Sequence, residues 1–219
     1  MHFNNDLPFV LAITGASGSI YGLRTLQFLL DAGVKVDLVI SDGAMQVMKE
    51  EMQLDLKDDL QNKLITYLNE GAAPRDWSFS IHNILNYGAP IASGSYRTQG
   101  MAIIPCSVGT LGALANGLTN NLIHRAAACC LKERRKLVVV VREMPFGHIQ
   151  LKNMLALSEA GAIVACASPG FYHQPQTISD QIDFVVGRLL DQFGFDHQLF
   201  QRWKEDKRAM MKWGSKSSL

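Results

Sequence analysis

The sequence predicts a three-layer α/β fold, a doubly wound parallel sheet covered by helices on both faces. Two observations carry that expectation. Short aliphatic runs alternate with helical patterns along most of the 219 residues, and those runs are apolar throughout instead of at every second position. A strand that is apolar on both faces is buried on both faces, the condition of a parallel sheet sandwiched between helices. With 47% hydrophobic and 19% charged residues, the chain supports one full core and excludes both disorder and a fibrous repeat.

The elements follow in order. Phe9 to Thr14 reads as the first strand, followed by the glycine turn GASGSIYG and a helix through Leu30. Val34 to Ser41 is a second strand; Met101 to Cys106, Leu137 to Arg142 and Ala162 to Ala167 are three more, each followed by a helix. Right-handed βαβ connections assemble these into a single domain spanning 1–219, with a C-terminal arm from about residue 199 that ends in a basic tail. The stretch from Leu54 to Pro90 is the least regular and reads as a helical excursion or an arm.

Composition narrows the function. Lys plus Arg number 21 against 20 for Asp plus Glu, a net charge of +1, so nothing electrostatic calls for nucleic acid. Cys106, Cys129, Cys130 and Cys166 form no CxxC pair and have no His at metal-ligand spacing, which suits reduced thiols and no metal site. His82, His124, His148, His173 and His197 are too scattered for one either. The first residues carry no basic n-region, and the longest aliphatic run, Leu137 to Val141, is far too short to span a bilayer. The expectation is a soluble, cytoplasmic protein with no membrane partner.

Ligands of open parallel sheets bind outside the carboxyl ends of the strands. The residues leaving those ends are Gly15-Ala16-Ser17, Ser41, Ser107 to Thr110, and Arg142-Glu143, all small, hydroxylic or charged after aliphatic strands. Gly15-Ala16-Ser17-Gly18 presents backbone N–H groups at a helix start, where they favour phosphate, although the glycines do not fit GxGxxG and a simple tight turn reads equally well. Asp42, past the second strand, keeps an NAD(P) enzyme in play. Pro105-Cys106-Ser107-Val108-Gly109-Thr110 repeats the donor pattern; an ordinary Ser N-cap is its bland reading, and Cys106 reads as packing.

Arg125 and Lys132 lie seven residues apart on one face of a helix, Asn120 to Glu133, that is otherwise Ala, Cys, Leu and Ile, and Cys129 lies between them. Cations on so apolar a helix call for a counter-anion. Placement near the helix C-terminus explains Lys132 without a ligand but leaves Arg125 unexplained. Glu143 reads as a proton acceptor or donor, or as the structural partner of Arg142. Phe171, Tyr172 and His173 sit on a proline-pinned loop able to stack on a flat ligand or cap the core, and Arg188 interrupts the aliphatic helix Ile182 to Phe193.

Taken together, TGASGSIYGLR, VISDGA, ASGSYRT, PCSVGTL, NNLIHRAAACCLKERRKLVVVVREMPF and PGFYHQPQ resemble the UbiX/Pad-type flavin prenyltransferase family, in the flavin-binding homo-oligomeric cysteine-decarboxylase-like superfamily, over about Val10 to Trp203. The resemblance implies a Rossmann-like or flavodoxin-like fold and an FMN site shared between subunits of a homo-oligomer, a dodecamer. It implies a metal-independent reaction that alkylates reduced FMN at N5 and C6 with dimethylallyl monophosphate, giving prenylated FMN for a UbiD-type decarboxylase in ubiquinone biosynthesis or aromatic acid decarboxylation.

By the same resemblance, Gly15, Ala16, Ser17, Ser41, Ser107, Val108, Gly109, Thr110 and Arg142 hold FMN. Arg125, Lys132, Tyr172 and Arg188 hold the prenyl phosphate, with Glu51 beside it as a proton donor, and Ser17 and Glu143 move protons near N5 and C6. Trp203 offers a wall from the C-terminal segment. One departure is Gln150, where members often carry His. The alternatives are an FMN-dependent cysteine decarboxylase of the same fold and a non-catalytic flavin carrier.

Overall fold

The computed structural model describes residues 7–70, 75 and 77–203. The basic tail from Lys204 lies outside the described residues. The five expected strands form, as β1 (Phe9–Ile13), β2 (Val36–Ile40), β4 (Gly100–Cys106), β5 (Leu137–Val141) and β6 (Ile163–Cys166). A sixth, β3 (Ser80–Ile81), lies in the irregular region and adds a short edge beside β2. The sheet is parallel in every pairing, in the order β3-β2-β1-β4-β5-β6. This is the Rossmann-like doubly wound order, with its switch point between β1 and β4.

The helices are α1 (Ser19–Asp31), α2 (Asp42–Met52), α3 (Leu60–Leu68), α4 (Val108–Ala115), α5 (Leu122–Lys132), α6 (His148–Glu159) and α7 (Ile178–Phe193). Successive strand residues feed opposite cores, as the period of two requires. Phe9, Leu11, Ile13, Leu38 and Ile104 pack with α1, α2, α3 and α7; Val10, Ala12, Val39, Ile103 and Val139 pack with α4, α5 and α6. Among the described residues no helix is long and apolar enough to cross a membrane.

The closest helix–sheet approach is at Gly22 of α1. A Cβ built there meets the Ile104 carbonyl oxygen at 2.5 Å and Ile13 Cδ1 at 2.7 Å. Alanine at a helix interior ordinarily gains about 1 kcal/mol over glycine. Here the obstacle is a backbone oxygen of a central strand, which cannot turn aside as a flexible side chain does. Gly22→Ala is therefore expected to destabilise by about 1–3 kcal/mol, the usual cost of overpacking. A urea midpoint equal to or above that of the parent would overturn this.

The segment between β3 and β4 crosses the amino ends of the strands and is anchored by charge. Asp37, buried on β2, accepts from Tyr96 Oη at 3.1 Å and lies 2.7 Å from His82 Nε2. Burial, and next the Asp37 charge, push the Tyr96 hydroxyl up to about 12, so it stays a neutral donor. Arg135, just before β5, donates to the carbonyl oxygens of Tyr96 (2.6 Å) and Gly94.

Candidate active site at the carboxyl ends of the strands

Beyond the last ladder residues the chain continues to pair, so the polar strand ends are held in register. Ser41 N–H donates to the Ile13 carbonyl (3.0 Å), Thr14 N–H to Pro105 (3.2 Å), Arg142 N–H to Cys106 (3.2 Å) and Ala167 N–H to Val141 (3.0 Å). Thr14 bridges the switch point: its hydroxyl donates to the Pro105 carbonyl at 2.9 Å and accepts from Ser107 N–H at 2.8 Å. Sequence reasoning passed over Thr14, although a threonine closing an aliphatic strand was the available signal.

Three helix starts converge on this edge. Ser41 caps α2 by accepting from Ala44 N–H at 3.1 Å, and Ser107 caps α4 by accepting from Thr110 N–H at 3.3 Å. The N-cap reading of Ser107 is thus correct, and its hydroxyl proton goes to Thr110 Oγ1 at 3.1 Å. The first N–H groups of a helix have no intrahelical backbone partner, and those left over by the caps are available as donors. Gly109 has no atom within 4 Å of a built Cβ, which leaves the approach to the α4 start open. Gly15 is required for another reason: a Cβ there falls 2.9 Å from the Gly43 carbonyl carbon, so only glycine lets the first turn of α2 close on the loop after β1.

At the α1 start the anion site already has an occupant. Gly18, in the left-handed region at φ 94°, caps α1 without a side chain, and its N–H donates to Glu51 Oε2 at 2.9 Å. Glu51 comes from the end of α2, so a carboxylate from elsewhere in the chain supplies the negative charge that a helix N-terminus favours.

Beside it lies an open cleft of about 520 Å³ lined by Ser17, Tyr21, Arg142, Glu143, Phe146, Cys166 and Ser168, with Ile178 and Ile182 of α7. The structural-partner reading of Glu143 fails: Arg142 and Glu143 form no ion pair among the described residues, and the Glu143 carboxylate accepts only the next N–H, Met144, at 3.0 Å. Burial raises the Tyr21 hydroxyl above its ordinary value, while the Arg142 charge pulls the other way. Tyr21 was also missed, though it stands in the first turn after Gly18. Cys106 is fully buried with its thiol pushed up to about 12 by burial, which bears out its reading as packing. Asp42 is simply the exposed first residue of α2.

The four expected phosphate ligands do not meet within one chain. Tyr172 packs edge-on against Phe184 (5.5 Å) and Trp203 (5.4 Å), and Arg188 of α7 pairs with Asp191 at 2.9 Å and borders a groove that shares Cys166 and Ser168 with the cleft. Arg125 and Lys132 lie across the sheet on α5. Arg125 Nε donates to the Ala92 carbonyl at 2.9 Å, with Cys129 Sγ on the same oxygen at 3.3 Å, and Lys132 pairs with Glu133 beside Gly94. Lys132 finds its counter-anion in Glu133, whereas Arg125 forms no ion pair among the described residues. One of the Arg125 guanidinium N–H groups goes to a backbone carbonyl 33 residues away. Moreover, α5 leads into β5 after only four residues, so Lys132 ends near the amino edge of the sheet, opposite the cleft.

Among the described residues no group of His, Cys, Asp and Glu is placed to hold a metal ion. The Flavoprotein family model matches residues 2–190. Flavin prenyltransferase UbiX of Alkalihalophilus pseudofirmus is 51% identical over 195 residues, covering 89% of this chain and 95% of the relative. Among solved structures, AnUbiX (PadA1) in complex with FMN and dimethylallyl pyrophosphate superposes with a TM-score of 0.79 at 38% identity, covering 92% of this chain and 99% of that one. A dodecameric FMN-dependent UbiX-like decarboxylase from Escherichia coli O157:H7 gives 0.78 at 38% identity, over 90% and 100% of the two chains. The crevice of hydroxyls, helix starts and one unpaired carboxylate thus stands in a chain that belongs to the Flavoprotein family and, within it, to the UbiX-type flavin prenyltransferases.

Proposed function

We propose that this chain transfers a dimethylallyl group from dimethylallyl monophosphate to N5 and C6 of reduced FMN, and that the prenylated FMN serves a UbiD-type decarboxylase in the cytoplasm. The observation that carries the reading is Glu143: a carboxylate in a cleft with apolar walls, without a cationic partner among the described residues, sharing that cleft with the α1 start and Arg142. The donors fit FMN. Gly15, Ala16, Ser17, Ser41, Ser107, Val108, Gly109, Thr110 and Arg142 offer N–H groups, hydroxyls and one guanidinium to a phosphate and a polar ring edge.

Reduced FMN is a substrate here and supplies the two nucleophilic atoms. The protein's share is charge and proton handling. As the allylic C–O bond breaks, the phosphate leaves with the electron pair and needs surrounding cations, while the prenyl carbon gains positive character and favours aromatic faces. Arg125, Lys132, Tyr172 and Arg188 take the phosphate, Glu51 gives it a proton, and Ser17 and Glu143 handle protons at N5 and C6. Since α5 carries its cations on the far side of the sheet, Arg125 and Lys132 reach the phosphate of a neighbouring copy, and the complete site belongs to a homo-oligomer, a dodecamer.

Protein loaded with reduced FMN and given dimethylallyl monophosphate is expected to release a flavin heavier by one prenyl unit, read by mass spectrometry. Unchanged flavin, together with oxidative decarboxylation of a phosphopantothenoylcysteine-like thiol by protein loaded with oxidised FMN, would make the chain a cysteine decarboxylase. Tight flavin binding with neither reaction would make it a carrier.

A further inference from the structure

The segment after α7 is held by one carboxylate. Asp191, with its side chain 15% exposed, receives Arg202 Nη2 at 2.7 Å, Arg188 Nη1 at 2.9 Å and His197 Nε2 at 3.2 Å. His197 is fully buried and its Nδ1 accepts from Leu199 N–H at 3.3 Å, which fixes the turn. Arg202 lies over the Phe200 ring at 5.7 Å, and the next residue, Trp203, packs edge-on against Tyr172. Phe200 in turn tilts against Phe184 at 4.9 Å, on which His173 stacks at 4.9 Å. One carboxylate therefore sits behind both of the residues on this side of the sheet assigned to the donor phosphate: Arg188 directly, and Tyr172 through the segment 197–203.

We propose that Asp191 is a positioning residue of the prenyl-donor site, setting the Arg188 guanidinium and, through His197 and Arg202, the strap whose Trp203 backs Tyr172. The inference rests on the reading that Arg188 and Tyr172 bind the donor phosphate. Burial raises the Asp191 carboxyl, but the Arg202 hydrogen bond and the Arg202 and Arg188 charges outweigh it and hold the group below its ordinary value of 3.8. Arg188, about half exposed, has freedom to swing to a ligand while one carboxylate limits its resting positions.

The test is steady-state kinetics with reduced FMN and dimethylallyl monophosphate on the assembled protein. Asp191→Asn keeps the shape and removes the charge. It is expected to raise KM for the donor by about tenfold, the scale of one charge-assisted contact, with kcat and FMN binding within about twofold of the parent. Coupled to Arg188→Ala, its effect should fall well short of the product of the two single effects. Trypsin should also cut after Arg202 faster in Asp191→Asn than in the parent, because the strap loses its anchor. A donor KM unchanged in Asp191→Asn, or a double variant equal to the product, overturns the proposal while Arg188→Ala still raises the donor KM. If Arg188→Ala leaves that KM unchanged, the phosphate assignment itself fails and the inference falls with it. Should Asp191→Asn not assemble, Arg202→Gln removes the strap's guanidinium from Asp191 and leaves Arg188–Asp191 in place, and an unchanged donor KM there overturns the strap half of the proposal.

Discussion

Glu143→Gln is expected to lower kcat for prenyl transfer by about 10²–10⁴-fold, the usual weight of a positioned general acid or base, and to leave FMN binding intact. The amide keeps the volume of the carboxyl and still accepts the Met144 N–H, so the turn after β5 should survive. The proton acceptor alone is lost. Bond formation at N5 depends on departure of the phosphate, whereas ring closure requires the prenyl alkene to gain a proton, its tertiary carbon to bond to C6, and the C6 proton to leave. Rapid quench of a single turnover should therefore show phosphate released ahead of the four-ring product. Finished product at the parent rate would remove Glu143 from the chemistry. Absence of phosphate release would move its role back to donor activation or flavin positioning.

Lys132→Ala should abolish most prenyl transfer with little change in flavin affinity, because in the proposed site the lost charge faces the donor phosphate and not the flavin. The placement of Lys132 adds a sharper expectation. It lies near the amino edge of the sheet and Glu143 at the carboxyl edge, so if both serve one site, as proposed, that site takes them from different copies. Inactive Lys132→Ala and Glu143→Gln chains, co-assembled in equal amounts, should recover about a quarter of parent activity, since one pairing in four is intact on both sides of a heterologous interface. No recovery from a mixed oligomer of confirmed composition would place both residues in one copy's site. Loss of FMN with an unchanged donor KM would instead make Lys132 a ligand of the flavin phosphate.

The residues expected at the strand ends do come together, because period and topology fix them. A run such as Leu137 to Val141 is buried on both faces whatever surrounds it, and a parallel sheet sends every such run out at the same edge. The glycine turn, the Ser107 cap and the strand-end positions of Ser41 and Glu143 needed no further information. The short strand Ser80–Ile81 was not legible, since two residues at a sheet edge carry no period to detect.

By itself, then, the sequence determined the layers, the strand ends and the family, because these depend on local patterning and on joined motifs. The tertiary structure decided which partner each charge finds. Glu51 reaches Gly18 and Arg125 reaches Ala92 across 33 residues each, and Asp191 gathers two arginines and a histidine from three positions. Periodicity records which face of a helix is buried and says nothing of what arrives against it. The side of the sheet on which α5 packs, and the direction in which it runs, placed its cations away from the cleft of their own chain.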